Sequence, residues 1–363
     1  MKKFGGVIIS AIYCFAGMFI GMLIGEALFA DKELIGGILL VLALFISFFV
    51  NIALHEAGHL IFGLLTGYRF ISYRIGSLML MKSGGKYRFG RMSVAGTGGQ
   101  CLMLPPEPAD GNVPCVLYNL GGSIVNLLFG GIMTAISAAN EWNPILLMFG
   151  IIAIAMALAN GIPFHAGLID NDGMNAISLM KAPEALNSFC TQFKIAAAQT
   201  DGMRLRDMPN EGFVLPSDEG TESNALIASM AVFAENRLMD EYNFEAALEL
   251  TDRLLSSKGV LGLHRQLLML DRISCLYLLG RVDEADRLFC EKSNQKAMKQ
   301  MSNFLMIPRT KYIAALLGKN GGDAAALRTE FEKLCQKYPY KGDIESERGL
   351  FCLADKALAS DKQ

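Results

Sequence analysis

Long apolar runs dominate the first half of the chain. Four runs reach the roughly 20-residue length that a helix needs to cross a bilayer, and they cover residues 4–30, 34–66, 113–139 and 144–162. Lys2 and Lys3 precede the first run, but this run is longer than the apolar part of a typical signal peptide. The pattern therefore predicts four retained membrane spans.

The segment between the second and third runs has a different pattern. Residues 70–94 contain two stretches of strand-forming side chains on either side of Ser83-Gly84-Gly85, an arrangement typical of a β-hairpin. The segment after it, residues 96–112, is rich in glycine and proline, and for that reason we expect no regular element there.

Beyond residue 181 the apolar positions follow helical spacing throughout. Residues 242–255 and 280–291 look alike and place Ala247 and Ala285 at equivalent positions. They resemble the tetratricopeptide repeat, in which a small alanine lets the two helices of a pair pack closely. We expect a linker at 181–220 and a soluble, tetratricopeptide-like helical domain at 221–363.

Composition agrees with a chain of two parts. Hydrophobic residues make up 52% of the chain and charged residues 19%, which is too apolar for an ordinary soluble domain. The predicted fold is mainly α. Residues 1–180 form a membrane-embedded helical bundle of about four spans with a cytoplasmic β-hairpin, and the helical repeat-like domain follows. The net charge of −2 argues against nucleic acid as a partner.

The distribution of basic residues predicts the orientation in the membrane. The loop at residues 67–112 contains six of them: Arg69, Arg74, Lys82, Lys86, Arg88 and Arg91. The other two connections between the runs contain only Lys32. By the positive-inside rule, this loop and both termini are cytoplasmic in a multi-pass protein of the cell membrane.

Three ionisable residues lie inside the second apolar run. His55 and His59 are one helical turn apart and face the same way, and Glu56 lies beside them. A charged group in the middle of a membrane costs roughly 2.5 to 3.5 kcal/mol on insertion scales, so such residues usually belong to a functional site. We predict a zinc site with Glu56 as the general base toward water.

Catalytic zinc needs a third protein ligand. The metzincin pattern is excluded, because Phe62 and Leu65 stand where that pattern needs glycine and histidine. No Asp or Glu lies between Glu56 and Glu107, and His264 belongs to the helical C-terminal region. The best-placed candidates are His165, Asp170 and Asp172. Glu107 and Asp110, in the glycine-rich and proline-rich loop, are weaker candidates.

Three motifs occur in order on the second, third and fourth runs. They are His-Glu-Ala-Gly-His at 55–59, Gly-Ser-Ile-Val-Asn at 122–126, and Asn-Gly-Ile-Pro at 160–163 followed by Asp-Gly at 172–173. Together they resemble the motifs of the site-2 protease family of intramembrane zinc metalloproteases, over about residues 50–175. The resemblance implies a zinc-dependent endopeptidase that cleaves membrane-spanning or membrane-associated substrates near the cytoplasmic side of the bilayer.

The resemblance also implies roles for individual residues. His55, His59 and Asp172 would hold Zn²⁺, Glu56 would act as the base, and Asn126 would orient substrate or water. The Asp-Gly pair favours Asp172, although it lies farther from the Asn-x-x-Pro motif than the family pattern has it. Asp170 and His165 therefore remain alternatives.

Two further expectations concern partners. The hairpin could offer a strand edge to an extended substrate, and the C-terminal domain could bind a protein.

An alternative hypothesis is that the chain is a membrane-tethered helical-repeat adaptor with a structural or vestigial metal site. Glu56 argues against this reading, because a structural zinc site needs no base.

Overall fold

The computed structural model describes residues 13–22, 25, 34–94, 97–107, 113–164, 170–319 and 322–360. Over these residues the protein is mainly helical, with a small antiparallel sheet of four strands. The predicted mainly α class is thereby confirmed.

Among the described residues, four apolar helices lie in the first half of the chain. They are α1 (Tyr13–Met22), α2 (Leu34–Leu65), α3 (Cys115–Ala139) and α4 (Pro144–Gly161). The helices α2, α3 and α4 are long and apolar enough to cross a membrane, as the sequence pattern predicts. Helix α1 covers only part of the first predicted run, and the rest of that run, apart from Gly25, lies outside the described residues.

Glycines bring the three long helices close together. A Cβ on Gly121 of α3 would lie 2.6 Å from the carbonyl oxygen of Gly58 on α2. A Cβ on Gly130 of α3 would lie 2.9 Å from the carbonyl oxygen of Gly150 on α4. No larger residue fits at these crossings without moving a backbone, and small residues at helix crossings are typical of membrane bundles.

The sheet contains β1 (Arg69–Ile75), β2 (Leu78–Ser83), β3 (Lys86–Arg91) and β4 (Gly99–Leu104), in the order β3-β2-β1-β4. The predicted hairpin is confirmed as β2 and β3. Its turn uses Gly84 and Gly85, both with positive φ, at 55° and 77°. Two-residue turns that match the twist of a hairpin need this conformation.

Two details of the loop prediction were wrong. The first predicted hairpin strand is broken at Gly76, whose φ of 56° turns the chain between β1 and β2. The segment predicted to be irregular contains β4, because Gln100 to Leu104 alternate in burial like a strand. Two glycines directly precede this stretch and two prolines directly follow it, so they mark the ends of the strand.

Helices make up most of the remainder. They are α5 (Asp172–Lys181), α6 (Pro183–Thr200), α7 (Asp218–Ser223), α8 (Ala225–Asp240), α9 (Phe244–Ser256), α10 (Gly262–Leu278), α11 (Val282–Cys290), α12 (Lys292–Gln300), α13 (Met306–Leu317), α14 (Ala324–Cys335) and α15 (Lys341–Ser360). Ala247 of α9 and Ala285 of α11 are fully buried at 0% exposure, as helix pairing needs. The likeness to tetratricopeptide repeats stays a prediction.

The chain divides into two compact units. One contains Met1–Ile75 with Gly98–Ala182, and the other contains Gly76–Thr97 with Pro183–Gln363. This division differs from the predicted one in two places. The β2–β3 hairpin groups with the C-terminal helices, and the predicted linker at 181–220 contains α6, which contributes Ile195 to a buried core of the second unit.

Candidate metal centre

Two histidines and one aspartate meet in the first unit. The Oδ2 atom of Asp172 lies 3.0 Å from Nε2 of His55 and 3.5 Å from Nε2 of His59, and the two Nε2 atoms are 3.3 Å apart. One ligand atom from each residue can be chosen so that all lie within 4.8 Å of one another. Two imidazole nitrogens and a carboxylate oxygen in this arrangement could hold one metal ion.

Helix α2 supplies both histidines from one face. The side chains are one turn apart and buried, with 6% of His55 and 7% of His59 exposed. The ring of His55 packs against α3 at Gly122, where a Cβ would lie 2.6 Å from the ring carbon Cε1. The glycine of the Gly-Ser-Ile-Val-Asn motif therefore makes room for the His55 ring.

A backbone carbonyl orients His59. Its Nδ1 atom donates a hydrogen bond to the carbonyl oxygen of Tyr118 at 2.7 Å. Because a carbonyl only accepts, Nδ1 carries a hydrogen, and Nε2 is then the ring atom that faces Asp172 and that a neutral His59 would offer to a metal ion. Tyr118 is itself fixed, since its hydroxyl donates to the carbonyl oxygen of Cys101 at 2.7 Å and its ring stacks on Tyr68 at 4.7 Å. No sequence pattern points to Tyr118, because it contacts His59 through its main chain.

Asn171 positions Asp172, the first residue of α5. Its Oδ1 accepts hydrogen bonds from the backbone amides of Phe164 and Met174, each at 3.0 Å, and the second of these caps the helix. Its Nδ2 donates to two carbonyl groups in and just after the last turn of α4, at 2.8 and 2.6 Å. One buried amide therefore joins the end of α4 to the start of α5. Asn171 is not among the residues predicted from the sequence, although asparagine before a helix is a known N-cap signal.

The surroundings of Asp172 favour its carboxylate form. Burial alone would raise its pKa, but the positive charge of protonated His59 and His55 beside it lowers the pKa of this carboxyl below its usual range. A metal ion binds a deprotonated carboxylate and neutral imidazoles, so its binding would release the imidazole protons.

The other candidate ligands either do not belong to this group or lie outside the described residues. Asp170 and Glu107 are described, and neither belongs to the three-residue group. His165 and Asp110 lie outside the described residues.

Glu56 lies where α2 meets strand β4. Its side chain is buried, with 7% exposed, and a Cβ on Gly99 would lie 2.5 Å from its Oε1 atom. The buried Arg74 of β1 donates from Nη2 to the carbonyl oxygen of Gly99 at 3.1 Å, and the hydroxyl of Tyr73 donates to the carbonyl oxygen of Ala53 at 2.6 Å. These bonds fix β1 and β4 on α2 beside the carboxylate. The position of Arg74 and Gly99 beside Glu56 is not predicted from the sequence.

Asn126 is a fully buried polar residue one turn after Gly122. Its side chain has 0% exposure, and neither its oxygen nor its nitrogen has a hydrogen-bond partner among the described residues. The hydroxyl of Ser123 and Nδ1 of His55 are also buried without a hydrogen-bond partner among the described residues. Unsatisfied buried polar groups are rare and costly, and within apolar helices they mark places where water or a ligand binds.

The three sequence motifs meet at one end of the bundle. Gly122 touches His55, and a Cβ on Gly161 would lie 3.3 Å from the hydroxyl oxygen of Ser123. Asn160 donates to the carbonyl oxygen of Met156 in its own helix, at 2.9 Å. The motifs on α2, α3 and α4 are therefore close in space as well as ordered in sequence.

Comparison with known proteins adds no relative: no protein-family model matches this chain, and neither a curated protein nor a solved structure matches it significantly.

Proposed function

We propose that this chain is a zinc-dependent intramembrane endopeptidase that cleaves membrane-spanning or membrane-associated proteins. The observation that carries the proposal is the convergence of His55, His59 and Asp172, with donor atoms within 4.8 Å, at one end of a set of long apolar helices. Polar groups buried in such helices are costly, and they persist where a site uses them.

The donor set fits catalytic zinc. Two imidazoles and one carboxylate leave a coordination position for substrate or water, whereas structural zinc is usually held by four protein ligands. When bound, zinc polarises a carbonyl group and lowers the pKa of water. Two of the three proposed ligands are held in position by their neighbours. His59 donates a hydrogen bond to Tyr118, and Asn171 anchors the start of the helix that carries Asp172.

The remaining roles fall to residues around this group. Glu56 accepts the proton of the attacking water and passes it to the amine that leaves. Its position against Gly99 keeps the carboxylate out of bulk water. Asn126 offers a free donor and a free acceptor, and orients the substrate or the water.

Strand β4 is the best surface for presenting the substrate. A peptide bond can be attacked only after the substrate helix unwinds, and an extended segment can pair with a sheet edge. Strand β4 is one edge of the sheet, and its first residue, Gly99, touches Glu56. The other edge, β3, is engaged at its end, where the amide of Arg91 donates to the carbonyl oxygen of Lys337 at 3.0 Å. This favours β4 over the hairpin that the sequence suggested.

The proposal includes four spans in the cell membrane, with both termini and the 67–112 loop in the cytoplasm. The six basic residues of that loop support this orientation. Cysteines introduced at Ser77 and near the C-terminus should react with an impermeant thiol reagent only when it is added from the cytoplasmic side. Labelling of the C-terminal cysteine from outside would contradict the orientation.

Zinc content and cleavage of a membrane substrate test the enzymatic proposal. Glu56→Gln should keep its zinc and lose activity by about 100-fold or more, because a general base is removed without loss of a ligand. Asp172→Asn should lose both zinc and activity. Asp170→Asn and His165→Ala serve as matched controls and should keep both zinc and activity. If Asp172→Asn keeps both and a control loses them, the ligand assignment is wrong. If Glu56→Gln keeps full function in cells, the adaptor reading is correct.

A further inference from the structure

The β2–β3 hairpin has two faces of opposite character. Cross-strand partners share a face in an antiparallel pair, and the register joins Leu78 to Arg91, Leu80 to Phe89 and Lys82 to Tyr87. These six residues form one face, which we term the outer hairpin face. The opposite face carries Met79 and Met81, both only 2% exposed.

Large apolar side chains on the outer hairpin face are exposed. The exposed fraction is 87% for Phe89, 64% for Tyr87 and 58% for Leu78. Two aromatic rings and a leucine on one small face form a patch that a soluble protein would ordinarily cover. The basic residues Lys82 and Arg91 are exposed on the same face.

The chain on either side of the hairpin is basic in sequence, and one carboxylate, that of Asp201, accepts a hydrogen bond from the amide of Gly84 at the hairpin turn at 2.8 Å. Residues 57–106 contain six basic residues and no Asp or Glu. A surface that combines aromatic rings with lysine and arginine is complementary to the interface of a bilayer with anionic lipids, where the rings enter the headgroup layer and the basic groups meet phosphate.

The hairpin also lies close in sequence to a helix of spanning length. Helix α2 ends at Leu65 and β1 begins at Arg69, so a very short connection separates the end of the apolar helix from the sheet. A chain segment that follows a span so closely starts near the bilayer surface.

We propose that the outer hairpin face docks on a bilayer surface that carries anionic lipid headgroups. Phe89 and Tyr87 insert among the headgroups, and Lys82 and Arg91 bind their phosphates. This inference uses the membrane location of the chain and does not depend on the protease activity.

A tryptophan reporter tests the docking directly. The chain has a single tryptophan, Trp142, so the double variant Trp142→Phe, Phe89→Trp reports on the outer hairpin face alone. The full-length protein would be reconstituted in phosphatidylcholine vesicles with or without phosphatidylglycerol, using lipids brominated near the headgroup end of the acyl chain. We expect blue-shifted emission and strong quenching when phosphatidylglycerol is present.

Two controls separate this proposal from its alternatives. Trp142→Phe, Arg88→Trp places the reporter on the opposite face of the same strand, and it should be quenched much less. In the Phe89→Trp background, Lys82→Gln or Arg91→Gln should each lower the ratio of docked to undocked hairpin by about five-fold. Lys258→Gln changes an exposed lysine in the loop after α9, and it should leave the ratio of docked to undocked hairpin unchanged.

Water-like emission from Phe89→Trp without quenching in either vesicle would overturn the proposal, because the outer hairpin face would then lie in water. Equal quenching at positions 88 and 89 would also overturn it, because docking would then have no preferred face. Quenching that changes neither when phosphatidylglycerol is added nor with Lys82→Gln would contradict the role of anionic lipid.

Discussion

At the scale of single residues, Asn171 has a large effect for its size, because it holds backbone groups on both sides of the turn before Asp172. Asn171→Ala removes the cap of α5 and both bonds to the end of α4. We expect zinc affinity to fall about 10- to 100-fold, as for the loss of other groups that orient a metal ligand. Competition with a fluorescent chelator would measure this.

Asn140→Ala is the matched control, because Asn140 caps the other end of the bundle by bonding to the carbonyl oxygen of Ile136. Asn171→Asp separates capping from anchoring, since it keeps an acceptor for Met174 but cannot donate to the carbonyl groups. Its zinc affinity should fall between those of the wild type and Asn171→Ala. Equal zinc affinity in the wild type and in all three variants would show that Asn171 does not position Asp172.

The residues of the candidate site divide into those that a sequence can reveal and those that it cannot. His55, Glu56 and His59 stand out, because ionisable side chains are rare in apolar runs, and the Asp-Gly pair pointed to Asp172. Tyr118 and Gly99 could not be found in this way. Tyr118 acts through its carbonyl oxygen and Gly99 through its lack of a side chain. Only the folded structure shows that these groups contact His59 and Glu56.

At the scale of elements, the crossing of α2 and α3 depends on Gly58 and Gly121. Gly121→Ala should destabilise the bundle by about 1–3 kcal/mol, because its Cβ would collide with a backbone carbonyl that cannot move freely. Gly131→Ala, on the same helix but with nothing within 4 Å of its Cβ, should be neutral or slightly stabilising. Unfolding in mixed detergent and denaturant compares them. Equal stability of the two variants would show that this close crossing is unimportant.

The elements also show why composition is a weak guide to a short strand. The three long helices and the β2–β3 hairpin follow from run length and from a two-glycine turn, which are local properties. Strand β4 follows from pairing with β1, from Arg69 opposite Leu104 to Ile75 opposite Gly99. A six-residue strand between glycines and prolines has too little local pattern to be recognised, because its partner is about thirty residues away.

At the scale of the whole molecule, the second unit extends further toward the N-terminus than the sequence suggested. Helix α6 contributes Ile195 to a core shared with Leu205 and Phe213, all before the predicted start of the domain at residue 221. A fragment of residues 183–363 should therefore melt at a clearly higher temperature than a fragment of 221–363. Circular dichroism on both would test this. Equal melting temperatures would mean that α6 adds nothing to the core.

The second unit also predicts a dependence of stability on pH. Burial raises the pKa of Asp343 to about 7, and burial likewise raises that of Glu347 to about 7 against the opposing effect of Arg309. The folded state thus binds these protons more tightly than the unfolded chain, where such groups titrate near pH 4. Their contribution to stability is present below about pH 4 and is lost as the pH rises through about 7.

The 183–363 fragment should accordingly need less urea to unfold at pH 8 than at pH 6. Asp343→Asn should reduce this difference, because an amide does not ionise, and it can still bond to Gln199, which donates to Asp343 at 3.2 Å in the native protein. A urea midpoint that rises between pH 6 and pH 8 would contradict the buried, protonated carboxyls.

The assignment of the β2–β3 hairpin to the second unit has a consequence for biosynthesis. Met79 and Met81 are buried within a unit whose helices begin at residue 183, and α6 contacts β2. The ribosome therefore completes the hairpin well before it makes the helices that the hairpin packs with. A nascent chain arrested after α4 would leave the two methionines uncovered. Chaperones that bind exposed apolar strands should consequently capture truncated products of this gene and release the full-length chain.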